Sequence, residues 1–438
     1  MLDPNIQMPN FSVPKLPDLS SLTRAYPQQV NIVENQKAFN QLVILGNGFD
    51  LACGLKSTYR HFFEYILDKD ESKNNYWYYI FRSLHYRRVD FNGWTDIEKQ
   101  ILIELKNIEI FYSNGILKEN EYIVKEQLEE FISFNGSNPS LRLTASAITS
   151  LYSYYYEIPS KKSFQEQLIK KLLLLEEDFC KYLIEQINIE DEQIDDFFSE
   201  IKKENLNNYY IKSLIIGYYI LTSELPDFSI QYLNDILTDI TEYDSFDLFF
   251  EEIDTINKLF SEDDIMSSIL SFNYTEPLKQ LNLRNIHGAL SEGNILFGID
   301  YDKLKDNFTE PPIEFSKSYR ILESGRDTKM NISSDIDIIK FYGHGLGEAD
   351  YSYFQAIFDS VDLYHSNTKI IFYWSQYEGV DKKTIRVEQV KNVTNLIEEY
   401  GTTFTNQDHG RNLLTKLQLE NRLQINEIPI NNLFECLI

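Results

Sequence analysis

"LVILGNGFDLACGL" (residues 42–55) decides the fold. Leu42, Val43, Ile44 and Leu45 form a short apolar run that reads as a buried strand. Gly46 and Gly48 follow at once, and glycine permits both a sharp turn and close approach of a ligand to backbone amides. The amphipathic "STYRHFFEYILDK" (57–69) comes next and has helical spacing. Strand, glycine turn and helix in that order open an α/β domain. As a dinucleotide fingerprint the loop is incomplete, because Leu51 stands where a third glycine belongs. Asp50 also puts an acid where a phosphate would be expected, so it reads either as a helix N-cap or as a ligand contact.

Outward from this loop the chain changes character twice. Between about residues 98 and 265, "EYIVKEQLEEFISF", "SFQEQLIKKLLLLEEDFCKYLIEQI" and "YYIKSLIIGYYILTSEL" have helical length. In the second, Phe164, Leu168, Leu172, Leu175, Phe179 and Leu183 recur every three or four residues and predict a buried stripe. Strand signals return in "SSILSFNYT", "RNIHG", "NILFGI", "IDIIKFYGHGL" and "KIIFYWS". The last two are each followed by a predicted helix, "EADYSYFQAIFDSV" and "KTIRVEQVKNVTNLIEEYG", which suggests parallel strands with crossovers. The assembly that follows is a Rossmann-like, mostly parallel sheet built from 41–97 and 266–438, with a large helical subdomain inserted at 98–265. Residues 1–40 contain Pro4, Pro9, Pro14, Pro17 and Pro27 and read as an extended arm that wraps the body or, in a homo-oligomer, a partner chain.

The 438 residues carry 41 basic and 68 acidic side chains, a net charge of -27. Such a surface repels phosphate backbones and anionic membranes, which disfavours a nucleic-acid partner. Cys53, Cys180 and Cys436 are too scattered for a disulfide framework or a four-cysteine zinc site. Without a readable secretory signal or a span of about 20 apolar residues, the expectation is a cytoplasmic protein.

Four further motifs carry candidate chemistry, and in a parallel sheet they gather at the carboxyl ends of the strands. "SFNYT" places Asn273, whose amide both donates and accepts, at a strand end; an Asx-turn is the structural alternative. "NIHGAL" places His287 before Gly288, a candidate general base. "FYGHGLGEAD" forms a second glycine loop from Gly343, Gly345 and Gly347, with His344, Glu348 and Asp350 as its polar groups. "GWTDIE" offers Trp94, Asp96 and Glu98 beside a solvated helix start.

In order and content, "LVILGNGFDLACGLKSTY", "WTDIE", "SFNYT", "IHG" with "NILFGID", and "FYGHGLGEADYSYF" resemble the AbiH family, bacterial abortive-infection proteins that act against phage. Cys53 departs from the histidine more usual there. AbiH-type sequences in turn look distantly like sirtuin-like domains, which cleave the nicotinamide–ribose bond of NAD. That resemblance implies that Asn273 and His287, with Asp50 nearby, form the catalytic set. It also implies that a nucleotide such as NAD is held by Gly46, Asn47, Gly48 and Phe49 and by Gly343, His344, Gly345, Gly347, Glu348 and Asp350. The zinc cysteines of deacetylating sirtuins are missing, and sirtuin-like domains usually have a small hydroxyl residue where Asp50 stands. Two other functions stay open: a metal-dependent phosphodiesterase with Asp50, Asp96, Glu98 and Asp350 on a divalent ion, and a non-catalytic nucleotide sensor that meets a phage or host trigger through 98–265.

Overall fold

The computed structural model describes residues 38–67, 75–86, 95–123, 125–134, 138–152, 157–188, 208–225, 265–279, 281–324, 334–347, 350–377 and 379–434. Residues 1–37 of the proline-containing arm, Trp94, the side chain of Asp96, and Glu348 lie outside them.

Six strands make one sheet: β1 (Phe39–Leu45), β2 (Ile265–Ser271), β3 (Asn282–Asn285), β4 (Ile338–Tyr342), β5 (Lys369–Trp374) and β6 (Leu423–Glu427). Their order is β3-β2-β1-β4-β5-β6, and each pair of neighbours is parallel. Alternate residues feed two separate cores. Leu42 and Ile44 join Leu270, Ile339, Phe341, Ile370 and Phe372 on one face, whereas Val43 and Leu45 join Ile269, Ile338 and Ile371 on the other. A strand buried on both faces must be apolar throughout, which is why β1 reads as a continuous run.

Helices Tyr351–Ser360, Lys382–Thr402 and Gln407–Leu419 cover the first face. The second is covered by helices that the chain forms between β1 and β2. Among them are Tyr59–Leu67, Tyr76–Tyr86, Thr95–Ser113, Pro139–Leu151, Lys161–Ile187 and Asn208–Thr222, and their buried side chains are continuous with Val43 and Leu45. The predicted stripe of Lys161–Ile187 is buried at all six positions. Ser160 caps this helix by accepting from the Ser163 amide, and Asn188 ends it in the left-handed conformation. Asn208–Thr222 is buried on nearly every side, as a helix apolar all round must be. Its C-terminal carbonyls, Ile220 and Leu221, accept from Lys340 Nζ at 2.8 and 3.1 Å, which explains a lysine in the middle of buried β4.

Two expectations need correction, and one pair of elements was missed. "NILFGI" is not a strand of the sheet: only Ile299 makes a bridge, to Ser316. The segment is buried, but its backbone is satisfied irregularly, with Leu296 N donating to His287 O and Phe297 N to the Glu176 carboxylate. Strand β3 stops at Asn285, so His287 lies in the loop beyond it. Finally, β6 and the helix Gln407–Leu419 before it were not anticipated; β6 is a half-buried edge strand with polar Gln424 and Asn426 in its middle.

No helix among the described residues is long and apolar enough to cross a membrane.

Candidate functional site

The strand order reverses between β1 and β4, the place where open parallel sheets bind ligands outside their carboxyl ends. Here the two glycine loops meet each other there instead. Gly46 N donates to Tyr342 O at 2.9 Å, and Gly48 N donates to Gly343 O at 2.7 Å. A Cβ on Gly46 would lie 2.5 Å from the His344 Cα, and one on Gly48 would lie 2.7 Å from the Gly343 Cα. Gly343 adopts φ +72°, and a Cβ there would fall 2.3 Å from the Phe49 amide nitrogen. The close approach foreseen from the glycines is therefore loop to loop. The amides of Gly46 and Gly48 are committed inside the protein and do not cradle a phosphate. Phe49 is fully buried, edge-on to Tyr342, and Asn47 accepts from Ser57 Oγ at 2.6 Å, so both serve the junction.

Asp50 is not the helix cap. The short helix Gly48–Ala52 contains it, and Asn47 holds the cap position without a side-chain bond. The Asp50 carboxyl is buried, accepting from Thr275 Oγ1 at 2.8 and 3.0 Å and from Tyr209 OH at 3.0 Å. Burial raises its pKa to about 7 against the opposing pull of those hydroxyls. Asp50 thus ties the first glycine loop to the loop after β2 and to the helix Asn208–Thr222.

That second loop presents Asn273, which is fully buried with neither side-chain polar atom hydrogen-bonded. The Asx-turn alternative fails, because the Asn273 side chain bonds no backbone group. Its main chain is nonetheless held firmly. Asn285 Nδ2 donates to Asn273 O at 2.7 Å and Thr275 O at 2.8 Å, and Asn273 N donates to Ser271 Oγ. Leaving a buried amide unpaired costs about 1–3 kcal/mol, which sets Asn273 apart from the paired polar groups around it.

His287 repeats the pattern. It is buried, its Nε2 has no hydrogen-bond partner, and its ring stands edge-on to Phe272 and to Tyr353. Nε2 lies 3.9 Å from Asp350 Oδ1, too far for a hydrogen bond but close enough for charge. Burial and then the nearby Lys317 pull its pKa down to about 3, so the imidazole is neutral. His344 approaches Asp350 from the other side, with Nε2 3.3 Å from Oδ2. Because His344 Nδ1 accepts from the Leu346 amide, Nε2 carries the proton and points it at the carboxylate. Leu346 itself is held at φ +53°, a left-handed conformation costly for a residue that carries a side chain.

Lys317 completes the cluster, with its Nζ 3.3 Å from Asp350 Oδ1 and 2.5 Å from Glu98 Oε1. Burial opposes both charges, yet Lys317 and the two histidines outweigh it and hold the Asp350 carboxyl far below the usual range. Glu98 and Asp350 likewise overcome burial and hold Lys317 protonated. Burial pushes Glu98 up to about 7 in spite of Lys317. The divalent-metal constellation is not assembled. An ammonium stands between Glu98 and Asp350, and Asp50 is tied to Thr275 and Tyr209, so these three of the four acids are not drawn around one point. Among the described residues no His, Cys, Asp and Glu cluster is arranged to hold a metal ion.

Of the residues singled out from sequence, Glu98, His287, His344 and Asp350 come together, and Asn273 stands on the adjoining loop. Gly345 is exposed and Gly347 half-buried. Lys317, Asn285, Thr275 and Tyr209 were missed, although Asn285 and Thr275 lie inside the quoted motifs "RNIHG" and "SFNYT". Beside the cluster, past the Tyr353 ring and the backbone of Ile286 and Gly288, opens a cavity of about 720 Å³.

The family model described as "Bacteriophage abortive infection AbiH" matches residues 42–374, from within β1 to the last residue of β5. The match therefore takes in both glycine loops, Asn273, His287 and the Lys317–Asp350 cluster. Neither a curated protein nor a solved structure matches the chain. With its family shown over most of its length, the chain belongs to the AbiH family of bacteriophage abortive-infection proteins.

Proposed function

We propose that this abortive-infection protein binds NAD and hydrolyses its nicotinamide–ribose bond without a metal ion. The supporting observation is two buried polar groups left without a hydrogen-bond partner beyond the carboxyl ends of a parallel sheet, the Asn273 amide and His287 Nε2, the latter 3.9 Å from Asp350, whose carboxyl is held far below the usual range. Asn273, able to donate and accept at once, holds a ribose hydroxyl or orients the attacking water. Neutral His287 accepts the proton from that hydroxyl or water. The Asp350 charge 3.9 Å away then stabilises the imidazolium. Water adds to the anomeric carbon, nicotinamide departs with the electrons of the broken C–N bond, and one proton is released. Gly345 and Gly347 are left as the glycines open to the nucleotide, because the amides of Gly46 and Gly48 are spent on Tyr342 and Gly343. Loss of NAD would stop host metabolism and with it phage replication.

The test is nicotinamide release from NAD by the purified full chain. Asn273→Ala and His287→Ala should each slow turnover by about 10²–10⁴-fold, and a chelator should leave the wild-type rate unchanged. Full turnover by both variants overturns the assignment. Binding of NAD without turnover would instead make the protein a sensor, and turnover lost on chelation would restore the metal reading.

A further inference from the structure

The cavity beside His287 lies between the edge of the sheet and two helices, Lys317–Glu323 and Tyr351–Ser360. Its inner wall is apolar, with Leu270, Ile286, Tyr353 and Ile357. A space of about 720 Å³ lined in this way is of the size that holds nucleotide-sized ligands. Its rim carries charge, and most of that charge is already used. Glu276 pairs with Lys279 at 3.0 Å and accepts from the Ser291 amide, and Glu292 accepts from Asn294. The guanidinium of Arg284, exposed on β3, makes no ion pair or hydrogen bond among the described residues. A cation on an edge strand also deters strand pairing, but that role needs no cavity. In a chain of net charge -27, an uncompensated guanidinium on the lip of an apolar cavity is matched to an anion, and its planar fork suits phosphate.

We propose that this cavity binds a nucleoside 5′-phosphate unit, with the base against Tyr353 and Ile357, the ribose toward His287, and the phosphate on Arg284. The inference rests on reading the site as nucleotide-binding and adds where the base goes and which residue selects a phosphate. It also assigns Tyr353 a shared role, because its ring faces both the cavity and His287, with ring centroids 6.1 Å apart.

Calorimetric titration of the full chain with adenosine 5′-monophosphate and with adenosine tests it. The wild type should bind the phosphate form at least about tenfold more tightly, and Arg284→Ala should erase that preference while leaving adenosine binding in place. Ala356→Trp fills the cavity from an exposed position on its wall and should abolish both. Absence of binding by the wild type at millimolar nucleotide, or binding unchanged in both variants, overturns the proposal. The two readings fail separately. NAD hydrolysis with an unchanged KM in both variants would refute this cavity and keep the hydrolase. Binding that depends on Arg284, without NAD turnover, would do the reverse.

Discussion

Two places in this molecule bring loops together at the carboxyl ends of the strands, and they are built on opposite principles. At the glycine junction every close approach is answered: Gly46 N and Gly48 N find the carbonyls of Tyr342 and Gly343, and the missing side chains leave room for backbone to meet backbone. A few residues away, around Asn273 and His287, the backbone is equally well held but buried side-chain polar atoms are left without partners. The first arrangement is complete in itself. The second leaves buried donors and acceptors unanswered, and that contrast is what the proposed ligand site rests on.

Breaking the junction should therefore produce the largest loss of stability. Gly343→Ala puts a Cβ 2.3 Å from the Phe49 amide nitrogen in a backbone conformation that L side chains rarely adopt. Overpacking and left-handed strain together should cost about 3–5 kcal/mol, read as a shift of the urea unfolding midpoint. The contrasting change is Asn273→Ala, which removes an unpaired buried amide and should alter stability by less than about 1 kcal/mol while slowing the proposed turnover by about 10²–10⁴-fold. Equal destabilisation by the two would erase the distinction drawn between the regions.

This contrast also marks how far the sequence could be read. Strand β1 was legible because burial on both faces leaves an unbroken apolar run, and the stripe from Phe164 to Leu183 was legible because one buried helix face repeats every three to four residues. "NILFGI" misled for the same reason: a buried irregular segment is as apolar as a buried strand, and only the destination of its hydrogen bonds tells them apart. Strand β6, at a half-buried edge, lacks the apolar signature altogether. Within the site, glycine spacing announced a close approach without saying what approaches, and the answer was a second loop rather than a phosphate. His287 and Asn273 stood out as polar residues at strand ends. Nothing local distinguishes Lys317 from any other lysine at a helix start, because its partners Glu98 and Asp350 come from other helices and loops.

Lys317 offers the second way to probe the comparison. Lys317→Met keeps much of the side-chain volume but leaves Glu98 and Asp350 facing each other in a buried space. Glu98, already pushed up to about 7, can take a proton, and His344 still faces Asp350, so only part of the lost pairing goes uncompensated. A loss of about 3 kcal/mol near neutral pH is expected, recovered in part at pH 5, where Glu98 is protonated. A loss that does not depend on pH would show that Lys317 packs there without acting as the shared counter-charge.

The last probe is Asp50, the acid that joins the two regions through Thr275. In the unfolded chain this carboxyl titrates near 3.8, whereas buried it keeps its proton to about 7. Between those values the folded state binds more protons than the unfolded state, so stability falls as pH rises through that window and levels off above it. Asp50→Asn cannot titrate and retains an acceptor for Thr275 or Tyr209, so its stability should fall less steeply from pH 4 to 7. Relative to wild type it should gain about 3 kcal/mol between pH 4 and pH 7. The slope is reduced rather than abolished, because Glu98 and Glu104 are also pushed by burial up to about 7 and stay in place. Parallel stability curves for the two proteins would mean that Asp50 is ionised in the fold. It would then be an anion at the base of the Asn273 loop, within reach of the chemistry, rather than the neutral clasp that holds this loop against the glycine junction.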